Sequence, residues 1–208
     1  MNLRIEDPEL RELFEHALFF HGHTCPAMPL GLRAGVFARR LLGVERARDK
    51  ELLLLSETGE GHAAACFLDG AMTATGCTYG KGNARKLRYG KLALVLLDGR
   101  GGRKVRVSVH PSFLVEALER SPFLARRRAG ILPQDVEPAL AEAAVNKVFA
   151  ASEAALFRAG AVERFTHEPP ESCFEAHRCA SCGEVTFANR LRVKGGAFVC
   201  IACAGYDR

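Results

Sequence analysis

Apolar positions at helical spacing mark two helices near the start of the chain. Asp7 followed by Pro8 is a typical helix start, with a capping side chain before a proline in the first turn. The apolar residues that follow predict an amphipathic helix over residues 8–20. A second pattern begins at Pro29 and ends at Gly43, which suits a glycine cap. The segment between them, "HGHTCP", therefore predicts a connection between two helices.

Strand and helix patterns then alternate irregularly as far as residue 160. Short apolar stretches predict strands at residues 51–57, 91–98 and 104–110, the last two joined as a hairpin by the glycine-rich turn "GRGG". Helical patterns cover residues 62–76, 111–130 and 133–160. No strand-helix-strand rhythm repeats, so the order favours an α+β fold in which helices flank a mixed or antiparallel sheet.

The pattern changes after Gly160, where the apolar periodicity gives way to polar residues. The segment "VERFTHEPPES" contains Pro169 and Pro170 and is typical of a linker. Five of the eight cysteines lie beyond it. We therefore expect a core domain over residues 1–167 and a linker with a zinc ribbon over residues 168–208.

The C-terminal cysteines form two CxxC pairs. The pairs are Cys179 with Cys182 and Cys200 with Cys203, and the residues between them have strand patterns around a Gly195-Gly196 turn. Two such knuckles on facing hairpins hold one tetrahedral zinc through four thiolates and leave no open position for catalysis. The spacing predicts a structural zinc, with disulfides or free thiols as the alternatives. Cys173 and His177 are nearby residues that this zinc does not need.

The first connection places three metal-ligand types at alternate positions. In an extended loop, His21, His23 and Cys25 point the same way, and imidazole with thiolate suits zinc or another borderline-soft transition metal. Cys25 also precedes a helix, whose N-terminal dipole favours the thiolate. The alternative is that both histidines are structural residues of a helix junction.

Two further segments extend this candidate site. Cys66 and Cys77 are eleven residues apart, which would place both on one face of the predicted helix as further ligands or thiols. The alternative is that Cys66 is a small core residue. The loop over residues 76–83 has three glycines, and its Lys81 and Asn83 predict an anion site unless the loop is a simple tight turn.

Composition and charge narrow the setting. The 208 residues carry a formal charge of +5, and no apolar run approaches the ~20 residues of a membrane span. The N-terminus has helical periodicity and acids in place of a signal sequence, so we expect a cytoplasmic protein whose cysteines bind metal. The basic cluster Arg126 to Arg128 is typical of a solvated helix end. From residue 173 onward five basic residues and three acids give only +2, which argues against nucleic acid as a partner.

Three linked blocks carry a family resemblance. "HGHTCPAMPLGLRAG", then "CFLDGAMTATGCTYGKGN" and then "YGKLAL" resemble the FmdE family of formylmethanofuran dehydrogenase proteins, in order over roughly residues 14 to 110. The chain departs from the family pattern at Ala27, where glycine is usual. The resemblance implies an α+β core, an intertwined homodimer and a cleft that holds the histidines and cysteines as a metal or active site. It also implies an association with molybdenum or tungsten enzymes, without their large catalytic chain.

Three hypotheses for function follow. The first is a dimeric zinc protein with a second transition metal, expected to be zinc, in its core, acting as an accessory to molybdenum or tungsten enzymes. The second is an enzyme acting on a small anionic substrate, with Cys25 or a metal-bound water as nucleophile, His21 or His23 as proton carrier and the loop around Lys81 as anion clamp. The third is a regulatory or nucleic-acid-binding protein that works through the ribbon.

Overall fold

A computed structural model describes residues 2–60, 64–166 and 171–205. The chain divides into two compact units, Met1–Glu168 and Pro169–Arg208, and each is described by itself. Among the described residues, no helix combines the length and the apolar character that crossing a membrane requires.

The first unit mixes helices and strands along the chain. The α-helices are α1 (Pro8–His21), α2 (Ala27–Leu42), α3 (Phe67–Thr75), α4 (Pro111–Arg120), α5 (Pro122–Arg128), α6 (Pro138–Ala150) and α7 (Glu153–Leu156), with a 3₁₀ turn at Pro133–Asp135. The strands are β1 (Leu52–Ser56), β2 (Ala84–Lys86), β3 (Ala93–Asp98), β4 (Arg103–Val109), β5 (Phe157–Ala159) and β6 (Glu163–Arg164).

The strands form one mixed sheet in the order β2-β1-β3-β4-β5, with β6 also paired to β4. Strand β2 runs parallel to β1, and every other described pair is antiparallel. The hairpin of β3 and β4 pairs Ala93 with Ser108 at one end and Asp98 with Arg103 at the turn. The sheet and its flanking helices confirm the predicted α+β class.

Helices α2 and α3 pack with their backbones in contact. A Cβ atom added to Gly31 would lie 1.8 Å from the carbonyl oxygen of Phe67, and one added to Gly70 would lie 1.9 Å from the carbonyl oxygen of Met28. Neither site has room for a side chain, because real Cβ atoms do not approach other atoms below 3.0 Å. The two helices therefore approach as closely as glycine allows, and α2 is buried over most of its length.

The first connection follows from local capping. Asp7 accepts a hydrogen bond from the Leu10 amide at the start of α1, and Gly22 ends that helix with a φ of +86°, a conformation that favours glycine. Helix α2 begins at Ala27, two residues before the predicted Pro29. The short turn between the helices thus holds His23 and Cys25 beside the last residue of α1, His21.

Three predicted helices are shorter than their patterns indicated. Helix α3 lies between Cys66 and a left-handed Gly76, so the prediction that Cys66 and Cys77 share a helical face is wrong. Residues 62–63 of that pattern lie outside the described residues. The pattern over residues 111–130 breaks where Ser121 caps a new helix before proline. The pattern over residues 133–160 divides into the 3₁₀ turn, α6, α7 and strand β5.

The second unit contains two small hairpins. Its elements are β7 (Ala176–Arg178), β8 (Val185–Phe187), a 3₁₀ turn (Ala188–Arg190), β9 (Leu191–Lys194), β10 (Ala197–Cys200) and α8 (Ile201–Ala204). Strand β7 pairs with β8 and β9 pairs with β10, each pair antiparallel. Among its described residues only Cys179 and Val199 are buried hydrophobics. The described part of the unit therefore has no apolar core that would hold it together.

Candidate metal centres

Four side chains of the first unit converge on one point. The ligand atoms of His21, His23, Cys25 and Cys66 all lie within 4.8 Å of one another. They come from the end of α1, the turn that follows it and the residue before α3. The fold thus brings together residues 21 to 25 with a cysteine about forty positions further along the chain.

The distances between these atoms suit a tetrahedral metal ion. Zinc bonds of about 2.0–2.1 Å to nitrogen and about 2.3 Å to sulfur separate two nitrogens by about 3.3 Å, and a nitrogen from a sulfur by about 3.6 Å. Nε2 of His21 lies 3.1 Å from Nε2 of His23 and 3.6 Å from the Cys25 sulfur. The Cys66 sulfur lies 4.0 Å from Nε2 of His23. The donor set therefore fits zinc with shifts of a few tenths of an ångström.

An acidic residue orients the first histidine. Nδ1 of His21 lies 2.7 Å from Oδ2 of Asp69, on the first turns of α3. A carboxylate only accepts, so His21 donates from Nδ1 and leaves the Nε2 lone pair free to bind a metal. The same contact raises the pKa of His21 to about 9, so at neutral pH a metal that binds Nε2 displaces a proton from it. Asp69 thus orients His21, a role that the sequence analysis did not predict.

The two core thiols differ in their pKa values. A hydrogen bond from Cys25, followed by contact with His21, lowers the pKa of Cys66 to about 4, so Cys66 carries the thiolate. The same hydrogen bond and burial raise the pKa of Cys25. The amides of Ala27 and Met28 act in the opposite direction at Cys25 without outweighing these effects. The expectation that the helix start makes Cys25 the thiolate is therefore wrong, and binding a metal would release its proton.

The remaining candidates lie elsewhere in the first unit. Cys77 is fully buried in the apolar core, and burial raises its pKa to about 11. Lys81 donates to the backbone carbonyls of Gly76 and Arg48. The structure does not bring Cys77 to the four-residue group, and it gives Lys81 a role in holding the end of α3.

Asn83 is likewise occupied by the backbone. Its Oδ1 accepts from the Thr78 amide at 2.9 Å, and its Nδ2 donates to the carbonyls of Asp49 and Leu52. A buried amide with these three partners joins the loop to strand β1. The geometry therefore favours the tight-turn alternative over an anion site.

The second unit holds the other thiolate cluster. The sulfur atoms of Cys179, Cys182, Cys200 and Cys203 lie within 4.8 Å of one another. Backbone amides of Cys182 and Cys200 lower the pKa of Cys179 to about 6, which favours a metal-binding thiolate. His177 instead contacts Glu175 at 2.7 Å, and the Cys173 sulfur donates to the Glu175 carbonyl. This donor set indicates zinc with four sulfur ligands.

The basic cluster at the end of α5 is engaged within the unit. Arg126 pairs with Glu137, Arg127 donates to the Ile131 carbonyl, and Arg128 donates to the Leu118 carbonyl. These contacts hold α5 to its neighbours. They agree with the interpretation of the cluster as a solvated helix end.

Comparison with known proteins finds a matching family model in each of the two units. The family model described as "FmdE, Molybdenum formylmethanofuran dehydrogenase operon" matches residues 20–158, and the prokaryotic dksA/traR C4-type zinc finger matches residues 174–207. A crystal structure of a tungsten formylmethanofuran dehydrogenase FmdE-like protein from Syntrophus aciditrophicus has the same fold, with a TM-score of 0.59 and 19% identity. The alignment covers 98% of this chain and 97% of that one.

A longer relative also matches. The protein from Archaeoglobus fulgidus named "Probable S-adenosyl-L-methionine-binding protein" is 33% identical over 211 residues, which cover 95% of this chain. The chain spans about half the length of that relative, 54% of it. The matched residues 20–158 include all four ligand residues of the core centre and extend over most of the first unit. The chain belongs to the FmdE family.

Proposed function

We propose that the chain is a two-metal protein whose core centre holds zinc through His21, His23, Cys25 and Cys66. The observation that carries this proposal is the tetrahedral spacing of the four donor atoms, with Asp69 orienting His21. Zinc supplies a firm bond to four side chains from different parts of the chain, and such a bond stabilises the fold around it. The ribbon holds the second zinc.

Four protein ligands favour metal binding over metal-assisted hydrolysis. A catalytic zinc keeps one position for water or substrate, whereas four protein donors complete the tetrahedron. The alternative of an enzyme with Cys25 as nucleophile is also less well supported, because the hydrogen bond with Cys66, together with burial, raises the pKa of that thiol. We therefore place the enzyme second.

Metal content tests this proposal directly. We expect anaerobically purified wild type to contain about two zinc ions per chain, and His23→Ala and Cys182→Ser to contain about one each. His16→Ala is the matched control, because this exposed histidine on α1 is outside the centre and should leave about two. A ratio of about one in both wild type and His23→Ala would refute the core centre.

The cellular role that we propose is accessory to a molybdenum or tungsten enzyme. The description of the matching family supports it, since it names a molybdenum enzyme operon. Disruption of the gene should lower the activity of that enzyme in the host, and wild type but not His23→Ala should restore it. If His23→Ala restored the activity as well as wild type does, the cellular role would not depend on the core metal.

The homodimer stays a prediction, which sedimentation of the full chain can test.

The ribbon surface favours a protein partner over nucleic acid. Its exposed side chains include Phe174, Val185, Phe187, Val193 and Phe198, and its net charge is low. Nucleic-acid binding depends on basic contacts to phosphates and weakens with salt. We expect the full chain to show no salt-dependent binding to DNA or RNA, and a steep salt dependence would reinstate the nucleic-acid hypothesis.

A further inference from the structure

A cavity of about 250 Å³ lies among helices α2, α4, α5 and α6 in the first unit. Most of its wall is apolar. The wall includes Leu30, Phe113, Ala117, Phe123, Leu140 and Ala144. Cys25, a ligand of the core centre, belongs to the same wall. The cavity and the metal centre therefore share a side chain.

The size of the cavity suits a small molecule. It is larger than the ~150 Å³ cavity that holds benzene in an engineered protein, and smaller than the ~300–1,000 Å³ of sites for drug-sized ligands. The cavity is partly open to solvent, because the exposed residues Leu118 and Arg120 belong to its wall. It matches a molecule of one or two fused rings, or a branched aliphatic group.

The chemistry of the wall favours an uncharged apolar ligand over water. Besides Cys25, the polar side chains of the wall are Arg120, Ser121 and Lys147. Ser121 caps α5 by accepting from the Leu124 amide, and Lys147 pairs with Glu116 at 2.8 Å. An ordered water needs two to four polar partners, whereas Ser121 and Lys147 are engaged with other groups and Arg120 is an exposed residue at the end of α4.

We propose that this cavity binds a small, uncharged apolar molecule that packs against Cys25. The Cys25 sulfur lies 3.6 Å from Nε2 of His21, so such a molecule contacts a ligand residue of the metal centre. The apolar shell around a metal site controls solvent access and local polarity. A molecule bound in the cavity therefore changes the surroundings of the metal ion at the core centre. Binding itself follows from the cavity, whereas the effect on the metal rests on the proposed function.

Calorimetric titration of the full chain with indole tests the binding. We expect saturable binding of one indole per chain, weakened about tenfold or more by Ala144→Leu, which fills the cavity from α6. Ala139→Leu is the matched control, because this exposed residue of α6 lies outside the wall. Ala117→Leu fills the cavity from α4 and replaces Ala144→Leu if that variant loses its helical signal. Absence of binding, or equal binding in filled and control variants, would overturn the proposal.

A cobalt-loaded sample tests the contact with Cys25. We expect indole to shift the visible absorption of cobalt bound at the core centre in wild type and in Ala139→Leu, but not in Ala144→Leu. Indole bound with an unchanged spectrum would refute the contact with Cys25. Indole binding to a protein that contains about one metal per chain would refute the proposed function and leave the cavity site intact. The two failures are therefore distinguishable.

Discussion

Asp69 shows how one side chain outside the ligand set can govern the core centre. Its carboxylate holds the Nδ1–H of His21, and this contact selects the tautomer whose Nε2 faces the other donors. Asp69 lies three residues after Cys66, so the start of α3 holds both the ligand Cys66 and the residue that orients His21. The affinity of the core centre for zinc should therefore depend on Asp69, although Asp69 is not itself a ligand.

Asp69→Asn should weaken zinc binding at the core about 10- to 100-fold, because the amide no longer fixes the tautomer of His21. Competition with a chelator, read separately for the core and ribbon ions, measures the change. Asp49→Asn is the control, since this exposed acid lies in the connection before β1. Equal affinity in wild type and Asp69→Asn would show that His21 is oriented by other groups.

A buried carboxylate elsewhere in the unit makes stability depend on pH. Glu57 is 5% exposed and receives two hydrogen bonds from Arg106, at 2.7 and 2.6 Å. The guanidinium lowers the pKa of Glu57 from its ordinary 4.5. A lowered pKa in the folded state stabilises the protein above the unfolded value, and this contribution is lost as the pH falls through the folded value.

Arg106→Leu should lower the free energy of unfolding by about 2 kcal/mol at pH 7, because it leaves a charged carboxylate without its donor. The difference from wild type should shrink progressively below about pH 4.5, where protonation removes the charge. Urea unfolding at a series of pH values measures both effects. Arg158→Leu on exposed β5 serves as the control, and a difference that stays constant with pH would contradict the argument.

At the scale of elements, the contact of α2 with α3 positions the core centre. His23 and Cys25 lead into α2, Cys66 leads into α3, and the helices meet at Gly31 and Gly70. The contact leaves no room for a Cβ atom at either glycine. Displacing one helix from the other must therefore move the ligands apart.

Gly70→Ala should destabilise the protein by about 3 kcal/mol and weaken core zinc binding as well, since the added methyl forces the helices apart. Thermal unfolding and metal content together check this result. Gly80→Ala is the matched control, because a Cβ atom there meets nothing within 4 Å and its backbone is not left-handed. A stable Gly70→Ala protein with normal zinc would disprove the coupling of packing to metal.

Periodicity predicted most elements but not their breaks. The hairpin of β3 and β4 and the strands β8 to β10 follow from alternating and turn residues, whereas short β2 and β5 have too few residues to show a pattern. The helical pattern over residues 111–130 extended too far because apolar spacing continues through Ser121, where a new helix is capped. Placing Cys66 and Cys77 on one helical face failed because the left-handed Gly76 ends α3 before Cys77. Cys66, directly before α3, lies in the four-residue group, whereas Cys77, directly after Gly76, lies in the apolar core.

Across the whole molecule, the two units depend on metal to different degrees. The first unit has extensive buried apolar clusters around its sheet and helices. The described part of the second unit buries only Cys179 and Val199 among its hydrophobic residues. Zinc therefore supplies most of the stabilisation of the ribbon, while apolar packing supplies that of the core.

Removing zinc with a chelator should unfold the ribbon and leave the core folded. Hydrogen exchange should then be fast for the amides of β7 to β10 and remain slow for β1, β3 and β4. Cys182→Ser should reproduce this result without chelator, and His23→Ala should not. Slow exchange in the ribbon of zinc-free protein would contradict the absence of an apolar core.

The backbone contact between α2 and α3 also bears on which ions the chain accepts. Side chains at a flexible site can adjust to longer bonds, but helices already touching through Gly31 and Gly70 leave the donors little freedom to rearrange. The ribbon, built on short hairpins with exposed surfaces, has fewer such constraints. The two sites should consequently select ions differently. The core centre should reject ions much larger than zinc, and the ribbon should prefer the ions with the highest affinity for sulfur.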